Sequence, residues 1–408
     1  MRAAASSSPA RDRIEPVSYA PGVISAHAVA AAMSPSFRLL PSLSAAVSLA
    51  ATATLFGDHA VDEALFSIPR RDTPVGQALV ASIDPGGEGR ETSLRLVLLD
   101  HAGTVLGETG PLEAGEIDLR RRIPEIDRLE RAAWLQAIVD DDPVGSPWVV
   151  VPMRDRPALR TMTAVRPDGE TEYTRVVGWG DEPMEPVADE VRETAETWEP
   201  SPRPIMGFRC HREMDVVLAT EFGEIVVALR PDEAPNTALN FRELAAAGFY
   251  DGTIVHRIVP LDREGRPFVI QGGDPTGEGE GGPGYTIPFE RTGLEHDFGV
   301  ISMARDDDPD SAGSQWFIGL SRAGTARLDG QYAAFGEVVE GAAAIVEIAN
   351  VRLADAARGR PETPPVVRRA FLRPAPPRAP GSGRPDARVE PVSVLPPAEP
   401  DASTDPGR

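Results

Sequence analysis

Phe268-Val269-Ile270-Gln271-Gly272-Gly273-Asp274 is the stretch on which the reading of this chain turns. Val255-His256-Arg257-Ile258 precedes it, and Gly313-Ser314-Gln315-Trp316-Phe317-Ile318 and Leu328-Asp329-Gly330-Gln331-Tyr332-Ala333-Ala334-Phe335-Gly336 follow. The apolar runs are short and lie among many glycines, as brief strands separated by tight turns require. Upstream, Met214 to Leu229 reads as two strands around Glu221-Phe222-Gly223, with alternation at Val216, Leu218 and Thr220. Pro235 fits a first helical turn, Phe241, Leu244 and Ala245 share a face, and Gly248 supplies a stop, so the spacing predicts a helix over 236–247. Glu340 to Ala349, with Ile345, Val346 and Ala349 on one face, predicts a second helix.

In this order the motifs resemble a cyclophilin, a peptidyl-prolyl cis/trans isomerase, over about residues 209–373. The resemblance implies a mainly β fold, a closed eight-stranded antiparallel barrel capped by two helices. It makes Arg257 and Gln271 the catalytic pair, Gln271 by bonding substrate backbone. It also makes Phe268, Val269, Phe317 and Leu328 the cup for proline, with Ala304 and Gln315 bordering the adjoining groove and Tyr332 edging the pocket. The implied partners are proline-containing polypeptides, and the implied reaction needs neither cofactor nor metal.

The chemistry explains why few groups suffice. Resonance holds the X-Pro bond planar behind a barrier of about 18–20 kcal/mol. An enzyme must hold the proline ring, turn the carbonyl side, and stabilise a nitrogen that has lost amide conjugation. A guanidinium is always charged and presents fixed donors for that task, which is the role given to Arg257. His256 is read as a packing residue. Three departures from the family pattern stand out: Arg327 where many cyclophilins carry Trp, Tyr332 where His is common, and Arg305 where Asn is usual. Loss of the indole predicts weak cyclosporin binding. Leu261 to Pro267 lengthens the connection between Arg257 and Phe268 and is read as a surface loop.

The rest of the chain is less telling. Residues 1–57 form a leader in which Met33 is read as the true start. Met33-Ser34-Pro35-Ser36-Phe37-Arg38, the uncharged run to Gly57 and the small-residue exit Ala51-Thr52-Ala53 have the layout of a secretory signal. Export and a mature end near Ala53–Asp58 are expected, with an uncleaved membrane anchor through 39–57 as the alternative. Residues 76–182 show strand runs and turn signals that predict a β-rich, sandwich-like module of unknown function. It includes a hairpin across Pro167-Asp168-Gly169 and a helix over Arg128 to Val139, where Leu129, Ala132, Leu135 and Val139 share a face. Residues 183–208 read as an acidic, Pro-rich linker, and 374–408 as a disordered Pro-rich tail.

Composition removes several function classes. All 41 basic residues are arginine against 63 acidic ones, a formal charge of -22, which withholds the phosphate attraction on which nucleic-acid binding rests. Cys210 is the sole cysteine, which excludes an intramolecular disulfide and a multi-cysteine zinc site. Gly277-Glu278-Gly279-Glu280-Gly281-Gly282 formally fits a dinucleotide pattern, but its carboxylates would repel a pyrophosphate and no helix pattern follows. The acidic runs at 140–142 and 306–310 lack calcium-loop spacing and read as solvated loops. Two rivals to the isomerase remain open: a docking module that keeps the proline pocket with little turnover, and a scaffold centred on residues 76–182.

Overall fold

The structure, a computed structural model, describes residues 65–85, 93–154, 159–165, 172–179, 182–183, 204–385 and 388–390. The leader 1–57 with Met33 and the run 39–57, the turn 166–171, the linker 184–203 and the tail beyond 390 lie outside the described residues.

The opening hairpin forms as its alternation demands, Met214–Thr220 against Gly223–Leu229. It belongs to an eight-stranded sheet in the order Arg257–Leu261, Pro267–Gly272, Trp316–Gly319, Val300–Met303, Ala334–Glu340, Gly223–Leu229, Met214–Thr220, Val367–Pro374, each neighbour antiparallel. The sheet curls around one core but is not the expected closed barrel. Its two edge strands do not ladder with each other, because the outer edge of Arg257–Leu261 is taken by the Ile258 N–H bond to the Gly359 carbonyl at 2.7 Å. The residues just before that strand meet the last one instead, through the Ile254–Val366 bridge.

Pro235–Ala246 and Ala342–Ala349 are the two helices laid on this sheet. The first has no capping side chain of its own. Buried Glu290 does that work from afar, accepting the N–H groups of Asn236 and Thr237 at 3.1 and 2.8 Å. Phe241, on the predicted face, meets the rings of Tyr250 and Phe335 at 5.2 and 5.0 Å. Among the described residues no helix is long and apolar enough to cross a membrane.

N-terminal to this lies a six-stranded sheet in the order Asp72–Pro74, Ile205–Arg212, Asp142–Arg154, Ala133–Val139, Leu94–Leu99, Val105–Glu108, with a three-stranded sheet over a shared core. Here three expectations are corrected. The helix over 128–139 does not form: Ala133–Val139 is a central strand between Leu94–Leu99 and Asp142–Arg154. Leu135 and Ala137 enter one core while Trp134 and Ile138 enter a second on the opposite face, so burial on both sides erased the alternation that marks a strand.

The linker ends early, since Ile205–Arg212 is a strand of this same sheet. Phe208 and Cys210 are buried there, and burial pushes the Cys210 thiol up to about 12, which leaves it inert.

The tail, read as disordered from 374, is ordered through residue 385. Arg378 is fully buried; its guanidinium forks onto the Glu213 carboxylate at 2.7 and 3.0 Å and lies 4.0 Å over the Trp134 ring. Arg378→Ala should therefore lower stability by about 3 kcal/mol in urea unfolding, because it strands a buried carboxylate. An unchanged midpoint would show that the tail is only an appendage.

Candidate active site

Strand register assembles the site. Arg257 stands opposite Gln271, Gln271 opposite Phe317, and Phe317 opposite Ser302, a single row across four strands. Directly opposed residues share a face of the sheet. The neighbouring row is Ile258, Ile270, Ile318 and Ile301, all fully buried in the core. The isoleucine row thus fixes which way the functional row points.

Within the row a chain of amides holds the guanidinium. Arg257 Nη1 donates to Gln271 Oε1 at 3.0 Å, Gln271 Nε2 to Gln315 Oε1 at 3.1 Å, and Gln315 Nε2 to the carbonyls of Gly279 and Gly281 at 2.8 and 2.9 Å. Asp274 anchors the far end. Its carboxylate accepts from the Thr276 N–H and hydroxyl at 2.7 and 2.9 Å and from the Gly279 and Gly281 N–H groups at 2.5 and 3.1 Å. Burial alone would raise its pKa, but these donors outweigh it and hold Asp274 at about 2. The glycines are needed: a Cβ at Gly281 would sit 2.0 Å from Asp274 Oδ1. The Gly-rich loop is thus a carboxylate wrapper that aims Gln315.

Among the described residues no carboxylate pairs with Arg257, which is exposed and bonds the neutral Gln271 amide. His256 behind it is buried and its pKa is lowered by that burial, in keeping with a packing role.

Phe317 is buried yet lies outside the main core. Its ring stacks on His296 at 5.8 Å and 12°, and Tyr332 stands edge-on to it at 5.4 Å. His296 is fixed from both sides, Nδ1 facing Asp329 Oδ1 at 2.9 Å and Nε2 facing Ser302 Oγ at 2.7 Å. A Ser, His and Asp line normally raises the thought of acyl transfer. Ser302 is fully buried, so no acyl group can reach its hydroxyl, and the line serves as a bracket for Phe317.

The other expected residues divide. Val269, two places from Gln271, shares its face; Ala304 touches Gln315 through its N–H bond to the Gln315 carbonyl at 2.8 Å. Phe268 lies on the alternate face, half-buried at the entry of its strand, and its ring is covered by the Arg327 guanidinium at 4.3 Å. Arg327 also bonds Asp262 at 3.0 Å, which in turn holds Arg266 at 2.9 and 2.8 Å. The Phe268 ring thus packs under this cation, and Leu328, next in the chain after Arg327, is half-buried.

Comparison with known proteins decides the family. A family model described as cyclophilin type peptidyl-prolyl cis-trans isomerase/CLD matches residues 215–370. Peptidyl-prolyl cis-trans isomerase ppi1 of Schizosaccharomyces pombe is 44% identical over 132 residues, covering 31% of this chain and 79% of that protein. The chain belongs to the cyclophilin-type peptidyl-prolyl cis-trans isomerases. Peptidyl-prolyl cis-trans isomerase-like 1 of Mus musculus is likewise 44% identical over 133 residues, 31% of this cyclophilin and 74% of its own length. A crystal structure of a Cryptosporidium parvum cyclophilin type isomerase in the presence of the dipeptide Ala-Pro is 30% identical, spans 39% of this chain and 98% of its own, and has a TM-score of 0.35.

Sequence reading missed Asp274 and the His296 bracket. Asp274 carried a usable signal, a carboxylate two residues before a Thr and ahead of closely spaced glycines. Because its pKa is depressed from 3.8, the stability it adds is present above pH 4 and is lost as pH falls towards 2. Asp274→Asn should cost about 1–2 kcal/mol at pH 7 and flatten that acid limb of the unfolding curve. A limb of unchanged size in the variant would assign it to other carboxylates.

Proposed function

We propose that this cyclophilin turns X-Pro bonds of polypeptides with Arg257 as the catalytic group and Gln271 as its partner on the substrate backbone. The observation that carries the reading is an unneutralised guanidinium locked by a neutral amide chain onto the strand face that carries Phe317. Neutral partners keep the donors fixed without cancelling the charge, so the guanidinium can bond the prolyl carbonyl and meet the nitrogen lone pair as conjugation is lost. Phe317, Val269, Leu328 and Phe268 hold the proline, Ala304 and Gln315 line the adjoining groove, and Tyr332 closes its edge.

The intact chain from Arg257 to Asp274 favours turnover over a docking module. Arg257→Ala should lower kcat/KM for a proline peptide roughly a hundredfold or more in protease-coupled or NMR exchange assays. Bound peptide with no turnover in the wild type would instead favour docking. In the same assay cyclosporin should inhibit only weakly, since Arg327 is already committed to Phe268 and Asp262; nanomolar inhibition would refute that.

We further propose that the protein acts on exported polypeptides as a folding helper, with the Met33 leader directing it across the membrane and 39–57 as the anchor where it is not cleaved. Support comes from the charge and hydropathy layout of that leader. Terminal sequencing of the product recovered from the producing cells should begin near Ala53–Asp58. A product that begins at Met1 or Met33 would overturn cleavage.

A further inference from the structure

The hairpin of Leu159–Val165 and Glu172–Trp179 reaches the isomerase beside its pocket. Among the described residues its short third strand, Glu182–Pro183, pairs with Gly178 and Trp179, and the same edge at Val176 is met by another partner. Gln331 takes that edge as a strand would. Its Oε1 accepts the Val176 N–H at 3.1 Å, and its Nε2 donates to the Val176 carbonyl at 3.0 Å. Val176 is fully buried, and Trp179 sets its ring edge against Phe289 at 5.7 Å.

From Gln331 the contact runs into the pocket. The Gln331 carbonyl accepts from Arg305 Nε at 3.1 Å. The Arg305 guanidinium lies 4.9 Å over the Tyr332 ring, and Tyr332 meets Phe317. The remaining Arg305 bonds go to the carbonyls of Asp306 and Asp307, so this side chain is turned along its own loop and braces it. Arg257 and its amides, by contrast, are anchored through Asp274, on a separate set of bonds. The two sides of the pocket therefore have independent supports.

We propose that the 159–179 arm is a specificity element of the isomerase: through Gln331 it holds the Arg305 and Tyr332 wall in the position that receives the substrate chain. Binding of the peptide depends on the arm, and rotation of the bond does not. This rests on the isomerase reading given above.

The test uses the full chain with Gln331→Ala, Trp179→Ala and the double variant, read as KM and kcat on a proline peptide. Each single change should raise KM about three- to tenfold with kcat within about twofold, a loss of the size expected for a pair of hydrogen bonds or one ring contact. The double variant should be no worse than the larger single one, because either change frees the same arm. Gln331→Glu keeps the acceptor and loses the donor, so it should give an intermediate KM even where an alanine variant fails to fold. Unchanged KM in the folded variants, with faster amide exchange at 172–179, would reduce the arm to packing and overturn the proposal, as would a fall in kcat alone. A wild type without turnover would sink the isomerase reading by itself; the same variants would then be compared by peptide Kd.

Discussion

The register that seats Ile258, Ile270, Ile318 and Ile301 in the core is the constraint on which this isomerase depends. A strand alternates faces, so the residues that follow or precede these isoleucines must point the other way. Slipping one strand by a residue would bury Arg257 or Gln271 and expose an isoleucine worth about 2 kcal/mol of burial. Arg257, exposed, and Gln271, half-buried, have no comparable packing of their own, and the core pays for their orientation. That is why four residues separated by up to 60 positions in the chain can be held in line without a metal, a disulfide or a bound group.

A second constraint sets where the guanidinium sits along that row. An arginine has several rotatable bonds, and fixing it with a carboxylate would cancel the charge it needs. Here the fixing partners are amides, each of which donates with one atom and accepts with the other, so the polarity runs one way from Arg257 to the Gly279 and Gly281 carbonyls. The buried carboxylate at the far end, Asp274, is turned away into a nest of N–H groups. The arrangement keeps a carboxylate's rigidity while keeping its charge several bonds from the substrate.

What could be read in the sequence follows from how local each signal is. The opening hairpin, both helices and the residue types of the row were legible because period and turn chemistry are written in neighbouring residues. Ala133–Val139 was not, because both of its faces are buried and a short apolar run with chance helical spacing looks the same either way. The open edge of the sheet was not legible, since the bond that takes it, from the Ile258 N–H to the Gly359 carbonyl, joins residues about a hundred positions apart. The bracket of Asp329, His296 and Ser302 was invisible for the same reason, and Arg378 looked like one more arginine in a proline-rich tail. The pocket residues were legible as types, yet Phe268 proved to gather with Arg327, a pairing that only the fold creates.

The junction between the two large sheets shows why the accessory module belongs to the enzyme's surface. Ile205–Arg212 ends one sheet and Met214–Thr220 begins the other, so Glu213 alone separates them. Its N–H bonds the Pro147 carbonyl at 2.8 Å, its carbonyl accepts from Ala375, and its carboxylate is shared by Arg378 at 2.7 Å and Arg384 at 3.7 Å. Asp215, fully buried on the next strand position, takes Arg384 at 2.8 Å. A hinge needs residues whose dihedral angles are free to change, and here the one connecting residue has both backbone bonds and its charge committed. Two buried acids holding two tail arginines also account for the order of a segment whose composition promised none. With the junction clamped, the six-stranded sheet is held as a fixed neighbour of the isomerase sheet.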